Sequence, residues 1–218
     1  ILEETQTWTF TKKDNKYLLT LEWQGEALID LTINQFHYGG LFLRMPWKQG
    51  NMGEVINAAR QKNEKADGQR AMWVDVGMEI KGLDHWGHIA IFDHKDNKDY
   101  PQPWRVDGQL GVGPVPARLG DWHIKKGETK IFQHQIVAYS GELDDMVLDD
   151  LWGDYVGDKG MYNTASLWGI AKQEGRDAKL LSPKEAVEAM AIKPGYTVNS
   201  FASEPMITQP MAFCWDDK

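Results

Sequence analysis

The residues best suited to chemistry gather between Ala71 and Trp104, in AMWVDVGMEIKGLDHWGHIAIFDHKDNKDYPQPW. Met72, Val74 and Val76 alternate there with Trp73 and Asp75, so a carboxylate and an indole share the face opposite the valines. A second alternating run, Gly87–Asp93, places His88, Ala90 and Phe92 opposite Ile89 and Ile91. It stops at Asp93-His94, and a polar loop continues through Asn97 to Pro101, Pro103 and Trp104. A histidine acid opposite a carboxylate base is the minimal apparatus for moving a proton on a bound substrate. His94 with Asp75 or Asp93 is the expected catalytic pair. The competing reading is that His94 and Asn97 only cap their loop.

Substrate contacts are expected from Arg44, Trp73, His88, Asn97 and Trp104. Arg44 and Asp75 each lie beside an aromatic on the polar side of a strand, where they would either grip a polyol together or form a structural ion pair. Trp104 would serve as a stacking platform on a proline-stiffened loop, or as a plug for one end of the fold. Arg105 and Arg118 add positive charge near the same rim. His37, His88 and His94 have no recognised ligand spacing, so no metal is assigned. Asp144, Asp145, Asp149 and Asp150 lack the glycine and spacing of a calcium loop and read as a solvated helix face.

These residues sit in a chain of 218 with 24 basic and 32 acidic side chains, a net charge of −8. An acidic balance argues against a nucleic-acid partner, and no apolar run is long enough to span a bilayer. The single cysteine, Cys214, excludes an internal disulfide framework and reads as a small buried hydrophobe. Ten tryptophans stand out; most fill a core, while exposed indoles would stack on sugar rings.

The elements that must hold the site are mostly strands. Trp8–Thr11 and Tyr17–Trp23 flank a polar turn, and Ala27–Ile33 and Leu41–Met45 continue the meander. Lys48–Gly68 reads as a rim excursion with a short helix near Glu54–Gln61, and Gly108–Gly120 as irregular. Trp122–Lys125 and Thr129–Tyr139 are strands again, and Gly141–Tyr155 has helical spacing. The domain is therefore expected over residues 1–155, with a linker over 156–181. Ser182, Pro183 and Glu185 begin a helix reaching about Ala191, and Tyr196–Ala202 and Met211–Trp215 look like strands. Residues 182–218 would open an incomplete second domain.

Four ordered motifs carry a resemblance: Tyr38-Gly39-Gly40-Leu41-x-x-Arg44, Trp73-Val74-Asp75-x-Gly77, Ala90-Ile91-Phe92-Asp93-His94-x-x-Asn97 and Pro103-x-Trp104. Over residues 1–155 the chain resembles the C-terminal half of the bacterial family labelled methane oxygenase PmoA-like, with His94-Lys95 departing from that family's His-Pro. The resemblance implies a mainly β fold, a galactose-mutarotase-like β-sandwich, and work on a carbohydrate ligand. Ser182–Asp217 resembles the opening of bacterial membrane-bound dehydrogenase-type β-propellers, akin to glucose/sorbosone dehydrogenases. That implies an exported, periplasmic or extracellular, multidomain protein with portions missing before Ile1 and after Lys218.

The expected function is carbohydrate processing or recognition, by acid/base chemistry without a cofactor in this portion if catalytic. The alternatives are a sugar-binding docking module for a downstream propeller and a structural domain that assembles with copies of itself.

Overall fold

The computed structural model describes residues 1–157, 182–188, 190, 195 and 197–201. The chain divides into two units, Ile1–Glu174 and Gly175–Lys218. The first is mainly β. Its large sheet has six antiparallel strands in the order β1 (Leu2–Lys13), β2 (Lys16–Ala27), β11 (Thr129–Gly141), β7 (Trp86–Asp93), β6 (Trp73–Glu79) and β5 (Gly53–Asn57). Two small sheets accompany it. One pairs β10 (Trp122–Ile124) with β3 (Leu31–Ile33), and the other has the order β4 (Leu43–Arg44), β9 (Gly111–Pro114), β8 (Trp104–Asp107).

Register fixes which side chains share a face, because neighbours along a strand point to opposite sides. Val74, Val76 and Met78 of β6 share one face with Ile91 and Asp93 of β7 and with Phe132, His134 and Ile136 of β11. On β2 and β1 the same face continues through Leu21, Trp23 and Trp8. The core joins its β5–β7 part to Val106, Leu110 and Val112 around the three-stranded sheet. The opposite face carries Trp73, Asp75, His88, Phe92 and Tyr139.

Helix α1 (Asp145–Val156) packs on that second face through Leu148, Leu151, Trp152 and Val156. Asp144 caps it by accepting from the backbone N–H groups of Met146 and Val147 at 3.0 and 3.2 Å. Two indoles then tie helix to sheet: Trp73 Nε1 donates to Asp149 Oδ1 at 2.7 Å, and Trp152 Nε1 to the Asp93 carbonyl at 2.9 Å. Asp149 is thus buried rather than part of a solvated acidic face.

Several elements differ from their sequence reading. β1 and β2 are longer than expected, since a hairpin that pairs residue for residue from Lys13–Lys16 to Leu2–Ala27 overrides weak local patterning. Ala27–Ile33 and Leu41–Met45 shorten to the three residues of β3 and the two of β4. The helix expected near Glu54–Gln61 is instead strand β5 followed by a turn, where Asn57 Oδ1 accepts from the N–H groups of Ala59 and Gln61. A side chain competing for those amides favours a turn over a helix.

The segment Gly108–Gly120 contains a strand, β9, in the middle of the small sheet. Gly111 and Gly113 on that strand report close packing rather than irregularity. A Cβ on Gly113 would lie 2.0 Å from the Leu41 carbonyl oxygen, and backbone cannot swing aside. Gly113→Ala is expected to destabilise the fold by about 1–3 kcal/mol, read as a lower urea midpoint at unchanged m value.

In the second unit, helix α2 (Pro183–Glu188) starts as its sequence predicts. The Ser182 N–H donates to Glu185 Oε2 at 2.7 Å and the Glu185 N–H to Ser182 Oγ at 3.3 Å, a reciprocal capping box. Residues 197–201 are not strand. The linker beyond residue 157, the expected strand Met211–Trp215 and Cys214 lie outside the described residues.

Candidate functional site

A cleft of about 600 Å³ opens against the β1–β2–β11 part of the first face. Alternation on the strands builds one wall, with Trp8 from β1, Trp23 from β2, and Phe132 and His134 from β11. Phe36, Tyr38 and Trp122 complete the aromatic lining. Trp122 stacks on Phe132 with centroids 5.1 Å apart, and Trp23 meets Phe132 at 5.9 Å. Gly25 makes room for the Trp23 ring, which a Cβ there would meet at 2.3 Å. Tyr38 stands edge-on to Phe36 and carries the Arg105 guanidinium 4.0 Å from its centroid.

Trp8, Phe36 and Tyr38 are about half exposed, at 48 %, 57 % and 52 %. Isolated exposed aromatics are ordinary, but several converging on one concavity are a binding-site signature.

Beneath the aromatics lies a buried polar floor. His134 and Gln102 both line the cleft, and His134 Nε2 is 3.3 Å from Gln102 Oε1. Asp93 lies behind them, fully buried, its Oδ1 3.7 Å from His134 Nε2. Its Oδ1 accepts from Asn97 Nδ2 and its Oδ2 from the Gln102 N–H, both at 2.7 Å. Asn97 in turn bridges to β11, donating to the Gln133 carbonyl and accepting from the Gln133 N–H. Arg70 clasps the same loop through Nε to the Pro101 carbonyl at 2.6 Å and Nη2 to the Asp99 carbonyl at 2.7 Å.

Burial dominates the electrostatics of the floor. It pushes the Asp93 carboxyl up to about 7, although the bonds from Asn97 and Gln102 pull the other way. It holds the His134 imidazole down at about 3, with a smaller contribution from His94 in the same direction. Around neutral pH the floor therefore offers an uncharged imidazole next to a carboxyl close to its midpoint.

The sequence-derived site residues distribute over both faces. Asp93 and Asn97 belong to the floor just described. Asp75 and His88 sit on the other face: His88 Nδ1 is 2.8 Å from Asp75 Oδ2, and Tyr139 Oη donates to Asp75 Oδ1 at 2.8 Å.

His94 pairs with neither expected carboxylate. Adjacent residues on an extended chain point apart, which separates it from Asp93. Asp75 lies opposite Ala90, four residues back along the strand, or about 13 Å at the usual strand rise. The His94 ring instead meets Tyr155 edge-on at 5.1 Å and accepts from the Asp96 N–H at 3.2 Å. Burial lowers its pKa.

Arg44 does not reach Asp75; it pairs with Asp107 and lies over Phe42. Trp73 and Trp104 are fully buried, the latter donating from Nε1 to the Ala71 carbonyl at 2.8 Å, so their ring faces are occupied by core packing. His37, His88 and His94 do not converge, and among the described residues no group of three or more His, Cys, Asp or Glu side chains could hold a metal ion.

The sequence reading missed His134 and Gln102 as cleft residues. A signal for His134 existed: an ionisable side chain between Phe132 and Ile136 on one strand face needs a partner. Gln102 had none, because its position depends on how the loop folds back onto Asp93.

Residues 1–153 match the family of unknown function DUF6807, and the chain belongs to that family. Residues 182–218 match a second domain of unknown function, DUF7133. These matches replace both resemblances drawn from the motifs: neither the methane oxygenase PmoA-like family nor a dehydrogenase-type propeller is found. No curated protein and no solved structure shows significant similarity to the chain. Among the described residues, no helix is long and apolar enough to cross a membrane.

Proposed function

We propose that this DUF6807 member is a carbohydrate-recognition domain whose ligand lies in the aromatic cleft. One observation carries the reading: half-exposed Trp8, Phe36 and Tyr38 surround a concavity floored by the polar side chains of Gln102 and His134. A sugar has the matching surface, with apolar C–H faces to lie on aromatic rings and hydroxyls that need a few fixed polar partners. A galactose-mutarotase-like sandwich is the specific architecture that accompanies this reading.

A second reading, catalysis, is favoured by the carboxyl–imidazole pair under the floor. Asp93, raised to about 7, is the group able to exchange a proton near neutral pH. His134, too weak a base to hold a proton there, would pass it between Asp93 and a sugar hydroxyl in the cleft. The aromatics would then hold the substrate. Loss of turnover without loss of binding in His134→Gln would distinguish catalysis from recognition alone.

The test is thermal unfolding of the full chain against neutral, acidic and 3-keto sugars. A true ligand at a hundred times its dissociation constant stabilises by about 2.7 kcal/mol, a clear rise in melting temperature. Trp8→Ala removes one exposed ring from the cleft rim and is expected to weaken that ligand about tenfold. A folded sample that responds to none of the sugars would refute the proposal.

A further inference from the structure

On the opposite face of the large sheet, a second cleft of about 360 Å³ is lined by Asp75, His88, Trp86, Asp84, Glu54 and Glu142, among others. We infer that it is a binding site for small organic ammonium ions, with His88 Nε2 as the central hydrogen-bond acceptor. The inference goes beyond the sugar reading and shares no residue with it.

The geometry around His88 fixes what the cleft offers. Its Nδ1 is 2.8 Å from Asp75 Oδ2, and the other oxygen of that carboxylate accepts from Tyr139 Oη at 2.8 Å. The imidazole is sandwiched as well, stacking on Tyr139 at 4.8 Å and lying 30° off the plane of Trp86 at 6.4 Å. A ring held this way donates from Nδ1 to the carboxylate and leaves the Nε2 lone pair free. His88 is only 7 % exposed and lines the cleft, yet Nε2 has no hydrogen-bond partner among the described residues. An acceptor fixed through its other nitrogen and open to the cleft is placed to take a hydrogen bond from a bound donor.

Charge and shape select the donor. Glu54 is already matched by Lys62 Nζ, 2.9 and 3.0 Å from its two oxygens. Among the described residues, Asp84 and Glu142 have no ion-pair partner and no Lys or Arg lines the cleft. Carboxylates at the rim with an indole beside them attract a cation, and among the described residues no three-ligand cluster for a metal ion is present. An alkylammonium group meets every demand: its N–H bonds Nε2, its charge answers Asp84 and Glu142, and its methylenes lie against Trp86.

The test follows the imidazole resonances of the full-length chain by nitrogen-15 NMR, with His88 assigned through His88→Gln. The probes are 1,4-diaminobutane and its uncharged analogue 1,4-butanediol. The expected result is a saturable shift of the His88 nitrogens with the diamine at millimolar concentration, and none with the diol. Asp84→Asn combined with Glu142→Gln changes only exposed side chains, so the variant folds. It is expected to weaken the diamine at least about threefold at low salt. A shift that never saturates, an equal response to the diol, or an unchanged affinity in the double variant would overturn the assignment.

Discussion

Asp93→Ala is expected to cost about 2–4 kcal/mol of folding stability, among the largest losses available to one polar side chain in this protein. The carboxyl is fully buried and joins three pieces of chain. It receives Asn97 Nδ2 and the Gln102 N–H from the loop after β7, and Asn97 carries the connection on to Gln133 of β11. Truncation removes both acceptors at once, and no water enters so closed a site to replace them without first opening it. The Gln102 N–H is left without its partner, and the loop that presents Gln102 to the cleft loses its anchor. Asp93→Asn keeps one oxygen and the side-chain volume, so its loss should be clearly smaller. Urea unfolding of the two variants gives both numbers, and equal losses would mean that the hydrogen bonds are not what the carboxyl supplies.

The second large effect is a change in pH dependence rather than in stability at one pH. Asp93 is raised from 3.8 to about 7, so on its own it favours the folded state fully below 3.8 and loses that contribution as pH rises through 7. His134 is lowered from 6.5 to about 3; on its own it favours folding fully above 6.5 and loses that contribution as pH falls through 3. Between the two ordinary values the unfolded pair binds one proton, on the histidine. The folded pair also binds one, on the carboxyl or on the imidazole 3.7 Å away. Equal proton counts mean that the pair gives almost no slope of stability against pH in that window. Each partner removed exposes the other. Asp93→Asn should make stability rise from about pH 3 to 6.5, and His134→Gln should make it fall from about pH 4 to 7, each by about 4 kcal/mol across the window. Denaturation midpoints of the three proteins at a few pH values check this. Two variants with the same sign of slope would show that the groups do not titrate as a buried pair.

How much of this was legible in the sequence divides along physical lines. Strict alternation in β6 and β7 gave their faces correctly, because period-two burial is written directly in residue type. The capping box at Ser182–Glu185 was equally readable, being a local hydrogen-bond pattern. Asp93 and Asn97 were singled out where the alternation of β7 stops and a polar loop begins. What could not be read was pairing across the sheet. Asp75 and His88 come together because β6 and β7 place Gly77 opposite His88, and register is a property of two strands. His94 looked like the partner of a carboxylate because it follows one in sequence, yet that adjacency sends the two side chains to opposite sides. Trp104 beside two prolines read equally as a stacking platform or a plug, and the structure around the small sheet shows it enclosed. The aromatic cleft was the least legible part. Trp8, the Phe36–Tyr38 pair and Trp122 are far apart in the chain, and nothing local marks the three stretches as neighbours.

The most direct test of the sugar cleft is isothermal titration of the tightest-binding sugar into the wild-type chain and into Trp8→Ala. The cleft reading predicts saturable binding with one sugar per chain, weakened about tenfold by the substitution while the melting temperature without ligand stays nearly unchanged. Equal affinity in the two proteins would contradict it, placing the sugar elsewhere on the molecule.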